Sequence, residues 1–295
     1  SLKANSDLLA GELSGTLDAS AIIAGDTTRP TPVRLSGRNF SIGLMPVFEA
    51  PWPFESVDVE ASIWPDMQKI TITSLKAVTG ELVAAGSGEV YFEGPPEARQ
   101  IGVRAMATGT GAITPQQVTA FWPVNLGAGA RGWVRDHIPA GRATRAVFSM
   151  DWPPGANSQG FLPNEHLTLD FTVEDATVKF LEDFPPVTGV RGRGLLRGNS
   201  LTMDVSGGQL NTWQVDEGKI VLPRFAPKGA VMDVKVTGRG DLGQMMRVLD
   251  QSNLKVGSRY GLAVEQMRGT GGIDLHVTRP MLEEVPDEAI AYTIK

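Results

Sequence analysis

Between Leu167 and Val173 apolar and polar residues alternate without a break: Leu167, Leu169, Phe171 and Val173 against Thr168, Asp170 and Thr172. Successive side chains of a strand point to opposite faces, so this run is a strand with one oily face and one wet face. The pattern recurs along the chain. Val57, Val59, Ala61 and Ile63 alternate with Asp58, Glu60 and Ser62, and Ile70 and Ile72 with Thr71 and Thr73. Ile101, Val103, Ala105 and Ala107 form another run, and so do Ala146, Phe148, Met150 and Trp152. Val234 and Val236, then Ile273, Leu275 and Val277, close the series. At least seven such runs stand against three short stretches with helical spacing. A chain with that imbalance is mainly β, and each oily face must be buried against something. Two sheets clasped as a sandwich are the commoner solution. A curled sheet whose inner face takes up an apolar ligand is the other.

The helical stretches carry their own punctuation. Thr114 is a plausible N-cap with Pro115 at the first helical position, Val118, Phe121 and Trp122 follow at helical spacing, and Pro123 ends the turn. Ala130, Trp133, Val134 and Ile138 mark a second short helix, and Leu242–Leu249, capped by Asp241, a third with Met245, Met246 and Leu249 on one side. The insert between Thr114 and Pro154 reads as a plug whose Phe and Trp side chains cover one end of a sheet, and Trp122, Trp133 and Trp152 read as core residues. The order strand, Gly-rich break, short helix, alternating strand occurs twice, ending once at Trp152-Pro153 and again at Arg279-Pro280. That is a repeat of pattern with little residue identity, and stacked similar units extend a sheet. The expected division is 1–53, N-terminal strands and an irregular segment; 54–154, a first β unit with the helical insert; and 155–295, a second β unit with one short helix.

At 295 residues, with 41% hydrophobic and 20% charged residues, the chain is globular in composition. A net charge of −6 argues against nucleic acid as a partner. Cysteine is absent, which removes disulfides, thiolate metal sites and a cysteine nucleophile. No window approaches the ~18 apolar residues of a membrane span. Both ends read as cut from a longer chain.

Chemistry-bearing motifs are sparse. Gly238-Arg239-Gly240-Asp241-Leu242-Gly243 fits G-x-G-x-x-G, after a strand and before a helix. Its neighbourhood is strand after strand with no βαβ alternation, and Asp241 would stand where a pyrophosphate needs bare amides. A turn followed by an N-cap is the better account. His137, His166 and His276 fall on separate elements without metal-ligand spacing. The acid pairs Glu182-Asp183 and Glu283-Glu284 flank turns and read as solvated loop ends. No cofactor is expected and no enzymatic activity. Gly86 and Gly88, inside the strand pattern of Leu82–Phe92, indicate a bulge or bend.

The run Phe121-Trp122-Pro123, then Ala130-Arg131-Gly132-Trp133-Val134 and Ala140-Gly141-Arg142, resembles the AsmA-like family of bacterial envelope proteins, in particular its large YhdP-type members, which are related to TamB. Val178–Gly192 and Gly269–Pro280 resemble the same group, so the likeness spans about residues 55–285. It implies an elongated, curled antiparallel β-sheet forming an open hydrophobic groove, with a few short helices. It implies a periplasmic location, a parent anchored in the inner membrane, and transport of phospholipid towards the outer membrane with acyl chains along the groove. The ligand would be phospholipid or another acyl-chain lipid, with envelope proteins as further partners. The groove would be lined by the inward members of the alternating runs: Val57, Val59, Ile63, Ile70, Ile72 and Val103; Phe148 and Met150; Leu167, Leu169, Phe171, Val173, Val178 and Phe180; Val234, Val236, Ile273, Leu275 and Val277. Each buried CH2 contributes about 0.8 kcal/mol, so a chain can be held without any specific bond and can slide. The competing reading is a structural or assembly module with a closed sandwich core that binds a partner protein.

Overall fold

The structure, a computed structural model, describes residues 2–5, 9–18, 26, 28–43, 47–64, 68–124, 126–156, 161–180, 184–251, 255–282 and 284–295. The strands are β1 (Leu2–Asn5), β2 (Leu9–Leu17), β3 (Thr31–Ile42), β4 (Trp52–Ile63), β5 (Lys69–Thr79), β6 (Leu82–Glu93), β7 (Gln100–Ile113), β8 (Ala140–Trp152), β9 (Leu167–Val178), β10 (Val187–Arg197), β11 (Ser200–Leu210), β12 (Trp213–Leu222), β13 (Val231–Asp241), β14 (Thr270–Pro280) and β15 (Ala291–Ile294). The α-helices are α1 (Pro115–Ala120), α2 (Ala128–His137), α3 (Leu242–Gln251) and α4 (Val256–Tyr260). The hydrogen-bonded order of the strands is their chain order, from β1 to β15, and all belong to one sheet. The protein is therefore mainly β, an antiparallel sheet not closed into a barrel, and the two-sheet sandwich is not what it forms.

The chain divides into two compact units, one of residues 1–131, 144–171 and 196–198, the other of 132–143, 172–195 and 199–295. The repeat seen in the sequence is present as β7-α1-α2-β8 and β13-α3-α4-β14. β2 ends at Leu17; residues 19–25 lie outside the described set, as do Glu182, Asp183 and Glu283. The stretch Leu210–Val215 is a hairpin turn, with Leu210 paired to Trp213. Asn211 takes a positive φ of 52° there, as tight turns require.

In the first unit α1 opens with a reciprocal cap. Thr114 accepts from the Gln117 amide at 3.3 Å, and the Gln117 side chain accepts from the Thr114 amide at 2.8 Å. Phe121 at its end meets Trp52 edge-on at 5.0 Å between ring centres, and Trp52 donates its indole N–H to the Ala120 carbonyl at 3.0 Å. Phe48 and Phe54 pack on Trp52 from other sides. Beside them sits a cluster of Phe40, Val57 and Ala77. Arg131 is buried and donates to the Thr119 carbonyl at 3.1 Å and to Glu49, tying the two helices' ends to the segment before β4. Of the expected plug, Phe121 meets the sheet at Trp52, but that tryptophan belongs to β4 and lies outside the insert.

The second unit has the matching arrangement. Trp213, 2% exposed, packs with Leu210, Met245 and Leu249, and its indole N–H donates to the Asp241 carbonyl at 2.7 Å. Asp241 caps α3 by accepting the Gln244 amide at 2.7 Å, as its place in the sequence indicates. The glycines of the G-x-G-x-x-G stretch serve this packing. A side chain at Gly240 would come within 3.0 Å of Trp213, and one at Gly238 within 2.7 Å of the Gln214 carbonyl.

Trp133 corrects an expectation. It is 43% exposed and stacks on His137, with ring centres 5.0 Å apart and planes 7° apart. The helix that carries it turns this side outward, so it is not a core residue. Trp122 and Trp152 are half-buried, the former bonded to the Leu126 carbonyl at 2.6 Å.

Candidate functional site

The register of the first unit lines up its apolar residues across five strands. Ile63 of β4 stands opposite Ile70 of β5, which faces Val90 of β6, which faces Val103 of β7, with Thr31 of β3 heading the row. The next row runs Val33, Ala61, Ile72, Gly88, Ala105. Leu35, Val59, Leu75, Gly86 and Ala107 make the third, and Gly37, Val57, Ala77, Ala84 and Gly109 the fourth. Sheet neighbours that share a row touch, so these rows form one apolar face. Of the expected groove residues on it, Val57 is buried beneath the aromatic plug, while Val59, Ile63, Ile70, Ile72 and Val103 are only half-buried.

The face has a graded relief. β3 to β5 supply Val, Leu and Ile, whereas β6 and β7 supply mostly Gly and Ala. A Cβ added at Gly86 would lie 2.7 Å from the Met106 carbonyl oxygen and 3.2 Å from Ala107. The backbones therefore approach closely where side chains are absent, which is how glycine permits a sheet to bend. The irregularity that accompanies this bend is a register shift on β5 between Ile72 and Leu75, opposite the glycines.

The other side of these strands is polar. Glu89 is bridged by Lys69 at 2.9 Å and by Arg104 at 2.7 Å, and Arg104 reaches on to Asp151 at 3.2 Å and over the Tyr91 ring. The hydrogen bond from Lys69, then that from Arg104, hold the Glu89 carboxyl below the ordinary glutamate value of 4.5. Four strands are laced together on the solvent side while the inner side stays oily.

The second unit repeats the scheme. Met203, Ile220, Val234, Val277 and Tyr292 form one row from β11 to β15; Val205, Gly218, Val236, Leu275 and Ile294 form the next. Val234, Val236, Ile273, Leu275 and Val277 are half-buried, with Ile273 and Ile294 packed at the end closed by Trp213 and α3.

The remaining expected residues lie on β8 and β9. Phe148, Met150, Leu169, Phe171 and Val173 are half-buried and Leu167 is buried. A positive φ of 51° at Asp175 shifts the alternation by one, which brings Ala176, 2% exposed, and then Val178 inward. Phe180 lies beyond the end of β9, 40% exposed, and packs on Phe184 at 5.0 Å. Sequence alternation missed the aromatic closures, Phe40, Phe48, Trp52 and Phe54 in one unit and Trp213 in the other. The signal available was a Trp or Phe at a strand's first position, as Trp52 and Trp213 are.

The three histidines are not brought together. His137 lies against Trp133, His276 bonds Asp233 at 2.8 Å, and His166 ends a short turn of Asn164–His166. Among the described residues no three of the metal-ligating types converge, and no helix is long and apolar enough to cross a membrane.

The accessible surface of the whole chain is large for its mass. It amounts to 17251 Å2 for 31.5 kDa. A single compact protein of that mass exposes about 12,000 Å2, and even two separate compact bodies of half the mass about 15,000 Å2.

Comparison with curated proteins and with solved structures returns no match. The family model described as YhdP protein matches residues 10–293, nearly the whole chain. The protein belongs to the YhdP family, an AsmA-like, TamB-related family of bacterial envelope proteins.

Proposed function

We propose that the apolar face of each unit binds the acyl chains of phospholipid, and that the protein takes part in moving lipid between the inner and outer membranes through the periplasm. The observation that carries this reading is the set of cross-strand rows, apolar from strand to strand yet left half-exposed. A dry core would have covered them at about 25 cal/mol per Å2 of buried apolar surface. A lipid chain supplies that cover reversibly. Binding by continuous apolar contact has no single anchoring bond, so a chain can shift from one row to the next without a large barrier. The polar ladder on the opposite side holds the sheet's curvature while the oily side is empty. No covalent step is part of this function; the protein acts as a carrier surface, without catalysis.

The test is a charge placed on the face. Leu169→Glu and Phe171→Glu change half-buried positions. If the face takes up lipid, each variant keeps its far-UV circular dichroism and its urea midpoint to within about 1 kcal/mol, the cost of a substitution at a partly solvated position. Each also loses at least tenfold in uptake of a fluorescent acyl lipid by the delipidated protein. If the face is instead an ordinary core, the same variants unfold, because an unpaired buried charge costs several kcal/mol.

A further inference from the structure

The apolar face of the second unit does not end in apolar residues. The row Met203, Ile220, Val234, Val277 finishes on β15 at Tyr292, whose ring continues the oily surface and whose hydroxyl does not. Arg259 of α4 donates from Nη1 to that hydroxyl at 2.9 Å. Tyr260, the next residue, hydrogen-bonds to Tyr292 as well; this bond, then the one from Arg259, hold the Tyr292 phenol below its ordinary pKa, while the bond to Tyr292 pushes that of Tyr260 up. Arg259, Tyr260 and Tyr292 line a recess of about 550 Å3 together with Glu288, Ile290 and Ala291. Asp250 fixes α4 above it by accepting the Ser258 amide at 2.9 Å.

A second cation stands on the same face. Arg279 lies two residues beyond Val277 on β14, hence on the same side of the strand, opposite Met232. Tyr292 and Arg279 are diagonal neighbours across the β14–β15 pair, a separation of about 7–8 Å that long side chains span. The Nε of Arg279 is buried, and no described residue accepts its hydrogen bond. Arg279 as a whole is only half-buried, and none of its side-chain donors is bonded among the described residues, so its terminal Nη groups are the ones an acceptor from outside the chain can reach.

We propose that this end of the face is a headgroup site, in which Arg279 and Arg259 with the hydroxyls of Tyr260 and Tyr292 hold the phosphodiester of a lipid whose acyl chain lies along the Tyr292–Met203 row. The proposal rests on the acyl-binding reading given above and adds to it where along the face the ligand is anchored. The dimensions agree. Five strands at about 4.8 Å spacing give a row about 19 Å long, close to the ~15 Å that one leaflet contributes to a ~30 Å hydrocarbon core. Guanidinium groups pair with phosphate oxygens through charge-assisted bonds, the strongest polar contacts open to a protein. Glu288 puts a carboxylate in the same recess, which suits a head carrying an ammonium group beside its phosphate.

The test measures retention of labelled lipid on the full chain through gel filtration, with dioleoyl phosphatidylethanolamine and dioleoylglycerol as probes, the second having the same acyl chains and no phosphate. The wild type should hold the phospholipid at least tenfold better than dioleoylglycerol. Arg279→Gln and Arg259→Gln should each remove most of that difference while leaving dioleoylglycerol retention unchanged. Equal retention of the two probes by the wild type, or an equal loss of both in the variants, overturns the headgroup site while the acyl-binding face stands. Displacement of the phospholipid by low-millimolar inorganic phosphate assigns the arginines to free phosphate and overturns it as well. A wild type that retains neither probe overturns the acyl-binding reading, and the headgroup site with it.

Discussion

Trp213 and Trp52 show how single residues close the ends of the apolar faces. Each buries an aromatic surface against a short helix and passes its indole N–H to the backbone of that helix's end. Trp213→Ala should lower stability by about 3–5 kcal/mol, the usual cost of deleting a large core aromatic, read as a shift of the urea midpoint. Trp213→Phe keeps most of the bulk and removes the bond to Asp241, for about 1 kcal/mol. Gly86 makes the opposite demand, for an absent side chain. Gly86→Val should cost about 1–3 kcal/mol, since the Met106 carbonyl and Ala107 would have to give way. The sequence carried half of this. Asp241 was legible as an N-cap because capping is local. The reason for Gly238 and Gly240 was not, because it lies on Trp213, a residue brought beside them only by the register of β12 on β13.

At the scale of elements, period-two alternation located most strands, and capping residues located the helices. Alternation fails where the backbone changes parity. Asp175, with its positive φ, moves the inward side from odd to even positions within β9, so Val173 and Val178 both face inward although an odd number of residues separates them. That slip does not announce itself in composition. The solvent-side ladder on β5 to β8 belongs to this scale too, and it predicts a pH dependence. The Glu89 carboxyl binds protons less tightly in the folded chain than in the unfolded one. Its contribution to stability is therefore complete above the ordinary glutamate value and fades as pH falls below 4.5. Glu89→Gln should flatten that part of the acid limb of urea midpoint against pH. The wild-type advantage at pH 7 should also shrink in 1 M salt, because the ladder's cations are partly exposed.

For the whole molecule, the decisive quantity is uncovered oily surface. Pattern alone left two ways to satisfy it, a second sheet or a ligand, and the fifteen strands in a single hydrogen-bonded order remove the first. That choice was not legible from alternation, because a strand's period states which side is apolar and not what will face it. The family resemblance pointed to the open sheet, and its short Trp-Pro and Ala-Arg-x-Trp motifs lie in the helical insert that closes one end of the first unit. Arg131 of that motif is a buried tie between the segment before β4 and the α1 end, so Arg131→Ala should loosen the plug, by about 1–3 kcal/mol in urea midpoint. The most direct test of the account is native mass spectrometry of the protein as purified, after delipidation, and after incubation with phospholipid vesicles. The account predicts adducts with the masses of acyl lipids on the untreated protein, their loss on delipidation and their return on incubation. A bare protein mass in all three samples, from folded protein, would contradict it.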